Sequence, residues 1–81
     1  MIETIYIPLL DEGVPVRRPA KAYRLPDGAY IILRPADYDP SVETWAFPPG
    51  TTVRCRVLPA SDGPVLTAVE IVQEEQDRRV V

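Results

Sequence analysis

The side chains of this sequence that could do chemistry are few and poorly spaced for catalysis. The chain has no histidine and a single cysteine, Cys55. Without histidine it lacks the commonest general base and metal ligand, which excludes Ser-His-Asp, Cys-His and histidine-based zinc sites. Cys55 alternates with Val53 and Val57, so we expect a buried structural thiol rather than a nucleophile, which needs an exposed, electropositive setting.

The carboxylates offer oxygen ligands but no recognisable metal site. Asp11 and Glu12 are adjacent, and Asp37 and Asp39 follow later in the chain. Neighbouring side chains on a turn diverge, and none of these spacings matches a calcium loop. The four glycines are isolated and each fits a turn, so the chain has no glycine-rich phosphate loop. The sequence therefore predicts no metal, no cofactor and no enzymatic activity.

Basic side chains concentrate around one segment, where Arg17, Arg18, Lys21 and Tyr23 form a candidate contact for an anion or a single-stranded nucleic acid. In the alternative arrangement, the arginine stems cover the edge of a small core and pair with Asp and Glu from the acidic second half. We expect the second arrangement. The net charge of −3 argues against a protein that binds phosphate backbones.

Aromatic residues concentrate in the connection 35–50, which contains Tyr38, Trp45 and Phe47. Trp45 and Phe47 are two positions apart and share a face if the segment is extended. Two interpretations stay open: the rings close the end of a small barrel, or they form an exposed patch that grips a partner. These three residues are the predicted partner-binding site of a non-enzymatic interaction or accessory module. The expected partner is an unknown protein or a second copy paired through a sheet edge.

Proline content and alternation determine the predicted elements. Ten prolines among 81 residues make long helices improbable, and 46% hydrophobic residues are typical of one globular domain. Pro15 and Pro19 cannot donate to a ladder, so the second strand is expected to be a sheet edge or bulged near Arg18-Pro19. Alternation predicts five strands, at 2–10, 14–24, 29–34, 51–58 and 65–71. The turn after the first strand is expected at 11–13, where Gly13 can take a positive φ, and the hairpin turn at 25–28 is expected to close through a left-handed Gly28.

These elements predict an all-β fold, a small five-stranded antiparallel SH3-like barrel with one long packed loop. An OB-like, partly open barrel is the alternative. One helical turn is expected at 39–43, where a capping Asp39 precedes Pro40. The single domain is predicted to span 1–73, and the tail 74–81 is expected to fray.

The compartment follows from the cysteine and from the N-terminus. A lone cysteine suits a reducing environment. The first residues lack a basic region and a cleavage site, and no apolar run reaches the roughly 20 residues of a membrane span. We therefore expect a cytoplasmic protein without a membrane partner.

Several short motifs occur in a fixed order along the chain. They are Tyr-Ile-Pro-Leu-Leu-Asp-Glu-Gly at 6–13, Val-Arg-Arg-Pro at 16–19, Asp-Gly-Ala-Tyr at 27–30, Trp-Ala-Phe-Pro-Pro-Gly at 45–50 and Ser-Asp-Gly at 61–63. In this pattern, residues 5–71 resemble a family of small uncharacterised bacterial proteins. Members often carry Trp before the Arg-Pro pair, where this chain has Arg17. The resemblance implies a bacterial cytosolic source and no particular activity.

Overall fold

The chain folds into strands joined by tight turns. A computed structural model describes residues 1–72, so the predicted tail 74–81 lies outside the described residues. The six strands of the described part are β1 (Ile2–Leu10), β2 (Arg17–Arg24), β3 (Tyr30–Ile32), β4 (Thr44–Trp45), β5 (Thr52–Leu58) and β6 (Val65–Ile71). The all-β expectation is confirmed. The short β4 lies inside the predicted connection 35–50 and has too few residues to show alternation.

Five of the strands form a closed ring of hydrogen-bonded neighbours. β1 pairs with β2, β2 with β3, β3 with β5 and β5 with β6, all antiparallel. β6 returns to β1 in a parallel pairing through Tyr6 and Thr67. The expectation of a wholly antiparallel sheet is therefore wrong at the closing pair, because the first and fifth of five alternating strands run in the same direction. β4 pairs with the end of β1 through Leu9 and Leu10.

The core lies inside this ring and follows the predicted alternation of β1. Ile5 and Ile7 are fully buried, and Leu9 packs against them as a partly buried neighbour. Burying large aliphatic side chains of this kind contributes roughly 1.5–3 kcal/mol each. The other buried members of the cluster are Ala20, Ala22, Tyr30, Ile32, Trp45, Val53 and Ala68.

The hairpin turns follow the sequence signals, with one difference. Gly28 donates to the Leu25 carbonyl over 3.0 Å and has a φ of 92°, while Asp27 Oδ1 accepts the Ala29 N–H at 3.0 Å. The left-handed closing position predicted there is confirmed. In the first turn the residue with positive φ is Asp11, at 62°, and not Gly13 as expected. Aspartate tolerates this region because its short side chain can hydrogen-bond locally.

The connection 35–50 contains a hydrogen-bonded turn at 39–43, where a helical turn was expected, and no helix is formed there. The amides of Val42 and Glu43 donate to the Asp39 carbonyl over 3.0 and 3.3 Å. Asp39 Oδ1 accepts the Ser41 amide at 2.9 Å and its hydroxyl at 2.6 Å. These bonds hold the pKa of Asp39 below its usual value. The turn ends one residue before β4, so it directs the chain towards β1.

A register shift interrupts the pairing of β5 with β6. Arg54 lies opposite Glu70 while Cys55 lies opposite Ala68, so Val69 is an extra residue on β6. The bulged strand is β6, and a bulge re-aims the side chains of its own strand. On β5, the predicted inward face of Val53, Cys55 and Val57 is wrong at its end, where Val57 is 65% exposed.

Two prolines limit the pairing of β2 with β3. The Arg24 amide donates to the Met1 carbonyl, and the Leu9 amide donates to the Val16 carbonyl. The backbone groups of even-numbered β2 residues therefore bond β1, and those of odd-numbered residues point towards β3. Continuing the β2–β3 register beyond the last bond, from Leu33 N to Lys21 O at 2.9 Å, would place Pro19 opposite Pro35. Neither can donate, so the strands separate there. Neither expectation for this strand holds as stated: β2 has a neighbour on each side, β1 and β3, and its pairing with β1 runs through Pro19 without a bulge. Only the part of β2 before Lys21 has one unpaired side.

In residues 1–72, no helix has the length and apolar character needed to cross a membrane.

Candidate functional site

Trp45 is part of the core and not an exposed contact. Its side chain is 4% exposed, and the ring of Tyr38 meets it edge-on with the centroids 4.9 Å apart. The indole N–H donates to Glu43 Oε1 over 3.2 Å, which satisfies its polar atom. Of the two interpretations that the sequence left open, the closing lid therefore applies to Trp45. A domain this small buries its largest apolar ring because few others are available.

Arg18 links β2 to the connection 35–50 through hydrogen bonds. Its Nη2 donates to both carboxylate oxygens of Asp37 at 3.2 Å, and its Nη1 donates to Glu43 Oε1 at 3.2 Å. The guanidinium carbon lies 5.8 Å from the centre of the Trp45 ring. The hydrogen bond to Asp37 is the largest contribution that raises the pKa of Arg18. For Arg18 the expected pairing with acids of the second half is confirmed.

The predicted basic contact is divided between two faces of β2. Adjacent strand residues point to opposite sides, so Arg18 shares the inner face with the buried Ala20, while Arg17, Lys21 and Tyr23 share the outer face. The four predicted residues therefore do not share one face of β2, although Arg18 and Lys21 both line one concavity. On the outer face, Lys21 Nζ donates to Thr4 Oγ1 over 3.0 Å, and Tyr23 is 46% exposed.

Phe47 borders an apolar cleft at the end of the ring where β1 and β5 end and β2 begins. The cleft has a volume of about 470 Å³, which lies within the range of roughly 300–1,000 Å³ typical of ligand pockets. Phe47 is partly buried against the core. The other apolar side chains of the wall are Leu9, Val16, Leu58 and Val69.

The floor and the rim of the cleft differ in polarity. Thr67 and Ala68, both 1% exposed, reach the cleft from β6. The Thr67 hydroxyl donates to the Val65 carbonyl over 3.1 Å. Arg17 lines the cleft, and its guanidinium donates over 3.1 Å to the carbonyl of Pro59, which lines a neighbouring concavity. Arg has five N–H donors, so after this bond Arg17 still has N–H groups that can donate to an acidic group at the rim.

The bulge on β6 explains why the sequence does not reveal this cleft. Strict alternation places Val69 inward with Thr67, yet the shift between Arg54 and Cys55 makes the neighbours Thr67 and Ala68 both buried. Val69 and Leu58 then lie on the wall of the cleft. No residue type in the segment 65–71 signals the bulge, so these cleft residues were missed.

A second concavity, the seam groove, lies where β2 and the chain after β3 separate. It has a volume of about 470 Å³. Pro19 and Pro35 line it from opposite sides, together with Lys21, Leu33 and Arg34. The Arg34 guanidinium carbon lies 5.5 Å from the centre of the Tyr38 ring. Tyr38 is therefore held between Trp45 and a cation, and is less accessible than the sequence suggested.

The thiol of Cys55 is half-buried. Burial is the main cause that raises its pKa to about 11, and the charge of Glu3 adds to this effect. A thiol with such a pKa is almost entirely protonated at neutral pH and is a poor nucleophile. Within residues 1–72, no three His, Cys, Asp or Glu side chains lie close enough together to hold a metal ion.

Comparisons with protein-family models, with curated proteins and with solved structures gave no match. The resemblance to small bacterial proteins therefore stays a prediction.

Proposed function

We propose that this protein is a non-enzymatic interaction module that holds an apolar side chain of a partner protein in the cleft beside Phe47. The observation that carries this proposal is a cleft of about 470 Å³ with largely apolar walls and one basic lining residue, Arg17. An aromatic or branched aliphatic anchor would bury its surface between Phe47 and Leu58. An acidic neighbour in the partner would pair with Arg17.

The surroundings of the cleft favour binding over catalysis. Its floor carries one hydroxyl, and that of Thr67 already donates to a carbonyl. The carboxylates of Asp37 and Glu43 are bonded to Arg18, and the Cys55 thiol has a raised pKa. Each of these groups is occupied or protonated, so none has the free, activated state that acid–base or nucleophilic chemistry requires.

Peptide display with two matched tryptophan variants tests the proposal. Pro15 is exposed and lines the cleft, so Pro15→Trp fills its opening, whereas Val14, 67% exposed, does not line it. Peptides selected on the wild-type protein are expected to share an apolar anchor beside an acidic residue. Their binding falls about tenfold or more in Pro15→Trp and stays unchanged in Val14→Trp. Selected peptides that bind both variants equally would exclude the cleft as the site.

A second candidate function is weak binding of single-stranded RNA on the outer face of β2. The observation in its favour is that Arg17, Lys21 and Tyr23 share this face. The first and last of them lie about 20 Å apart at the usual strand rise. Anisotropy of a labelled oligouridine is expected to show binding that weakens with salt and in Lys21→Glu. Absence of binding at low ionic strength would exclude this function.

We also propose the finer fold and location suggested by the sequence, an SH3-like barrel in the cytoplasm of a bacterium. The ring joins each of its strands to the next one in sequence and closes through the first and last, as small up-and-down barrels do. The single half-buried Cys55 is compatible with a reducing compartment. An experimental structure and fractionation of the source cells would test the two statements separately.

A further inference from the structure

We propose that the seam groove binds an extended acidic segment of a partner protein. The groove lies between the outer edge of β2 and the chain that follows β3, with Pro19 on one side and Pro35 on the other. It is separate from the cleft beside Phe47, so this proposal does not depend on the function proposed above.

The backbone around the groove suits an extended chain. Odd-numbered residues of β2 direct their backbone groups away from β1, so the Pro19 carbonyl faces the groove. The bond from Leu33 N to Lys21 O is the last one between the two sides. Beyond it, an extended peptide has room to run beside β2 and to donate an N–H to Pro19 O, as in strand addition to a sheet edge. The apolar side chains of Leu33 and Pro35 offer contacts for alternate side chains of such a peptide.

The charges at the groove select an acidic occupant. Its ionisable lining residues are Arg18, Lys21 and Arg34, all cationic. Arg18 is already paired with two carboxylates, those of Asp37 and Glu43, so these three groups together carry one net negative charge. Lys21 bonds one neutral hydroxyl, that of Thr4, and Arg34 lies over the Tyr38 ring. Two cations therefore remain to pair with carboxylates, on a chain whose net charge is −3.

A protein segment fits this groove better than a nucleic acid does. Single-stranded nucleic acids are held by aromatic side chains on which the bases stack. The described residues that line the groove include no aromatic side chain. Tyr38 is covered from the groove side by Arg34 and abuts Trp45. Prolines and Leu33 instead provide an aliphatic wall, which suits alternating apolar and acidic residues.

Nuclear magnetic resonance titration with a peptide of alternating glutamate and valine tests the proposal. The expected shifts are confined to amides around Lys21, Leu33 and Arg34. Lys21→Glu and Arg34→Glu each weaken binding about tenfold at low ionic strength, and added salt reduces the difference. Arg56→Glu is the matched control, because it makes the same charge change at an exposed site of β5 outside the groove. It is expected to change the affinity less than about twofold.

Four outcomes would overturn the proposal. The first is the absence of shifts at millimolar peptide, and the second is an equal loss in Arg56→Glu. The third is tighter binding of a labelled oligouridine at the same amides, which would make the groove a nucleic-acid site. The fourth comes from removing residues 73–81, which contain Glu74, Glu75 and Asp77. If this truncation alone, without peptide, shifts the groove amides, the chain's own tail is the occupant.

Discussion

Replacing Trp45 tests the central feature of the structure, an aromatic side chain that closes the ring from inside. A Trp side chain buries about 150–250 Å², which at roughly 25 cal/mol per Å² corresponds to about 4–6 kcal/mol. Measured losses for Trp→Ala in cores are about 3–5 kcal/mol. A domain of this length has a free energy of unfolding of roughly 4–12 kcal/mol. Trp45→Ala is therefore expected to remove a large share of it, because the side chain is 4% exposed.

Trp45→Phe separates packing from hydrogen bonding. Phenylalanine keeps an aromatic ring beside Tyr38 but removes the N–H that donates to Glu43. We expect a loss of about 1–2 kcal/mol, which combines one hydrogen bond with some lost volume. Val42→Ala serves as the control, because Val42 is 74% exposed in the same connection. It is expected to change stability by less than about 0.5 kcal/mol.

Urea unfolding followed by far-ultraviolet circular dichroism measures these differences without using the tryptophan as the probe. Fluorescence of the wild-type protein gives an independent result. Emission is expected at shorter wavelength than that of free indole, with little quenching by acrylamide. If Trp45→Ala lies within about 1 kcal/mol of the wild type, or the fluorescence is strongly quenched, the reasoning that places Trp45 in the core is refuted.

Three further predictions concern single sites. Gly50 has a φ of 92°, so Gly50→Ala is expected to lower the free energy of unfolding by about 1 kcal/mol or more. Gly13→Ala changes it little in the same urea assay, because φ is not positive there and a Cβ added at Gly13 would meet no heavy atom within 4 Å. Val57→Thr costs less than about 0.5 kcal/mol because Val57 is 65% exposed, while Val53→Thr at 0% exposure costs about 2 kcal/mol; equal costs would contradict this difference in exposure. With a pKa of about 11, Cys55 is expected to react with a disulfide reagent slowly at pH 8 and rapidly only in denaturant, and fast reaction of the folded protein would show that the thiol is accessible.

Much of the fold could be predicted because the responsible signals are local. Ile5 and Ile7 alternate over a long strand, and each side of the alternation meets either the core or the surface. The Pro26-Asp27-Gly28 turn fixes its hairpin through backbone preferences of three adjacent residues. Such signals need no knowledge of the rest of the chain, so they survive in the folded protein.

The errors arose where a distant segment determines the outcome. The register of β6 against β5 shifts by one residue and leaves Val69 unpaired, and no residue near Val69 reveals this shift. Arg18 and Lys21 lie on opposite faces of β2, which follows from strand alternation and was predictable. The partners of Arg18, Asp37 and Glu43, lie far along the chain. The cleft beside Phe47 needs three strands to meet at one end of the ring, which no local pattern encodes.

The prolines of the seam also bear on whether the chain pairs with itself. An exposed strand edge can pair with the same edge of a second copy, because its free N–H and C=O groups can form hydrogen bonds with that edge. Here Pro19 removes the donor at the middle of the free edge of β2, and Pro35 removes the donor from the facing segment. In a dimer joined through these edges, each copy would lack the N–H donor of its proline, so both copies would lose the same hydrogen bonds. A partner bound mainly through its carboxylates at Lys21 and Arg34 would lose only one hydrogen bond. The prolines that leave the two sides of the seam groove unpaired therefore favour an unlike, charged partner over a sheet-edge dimer.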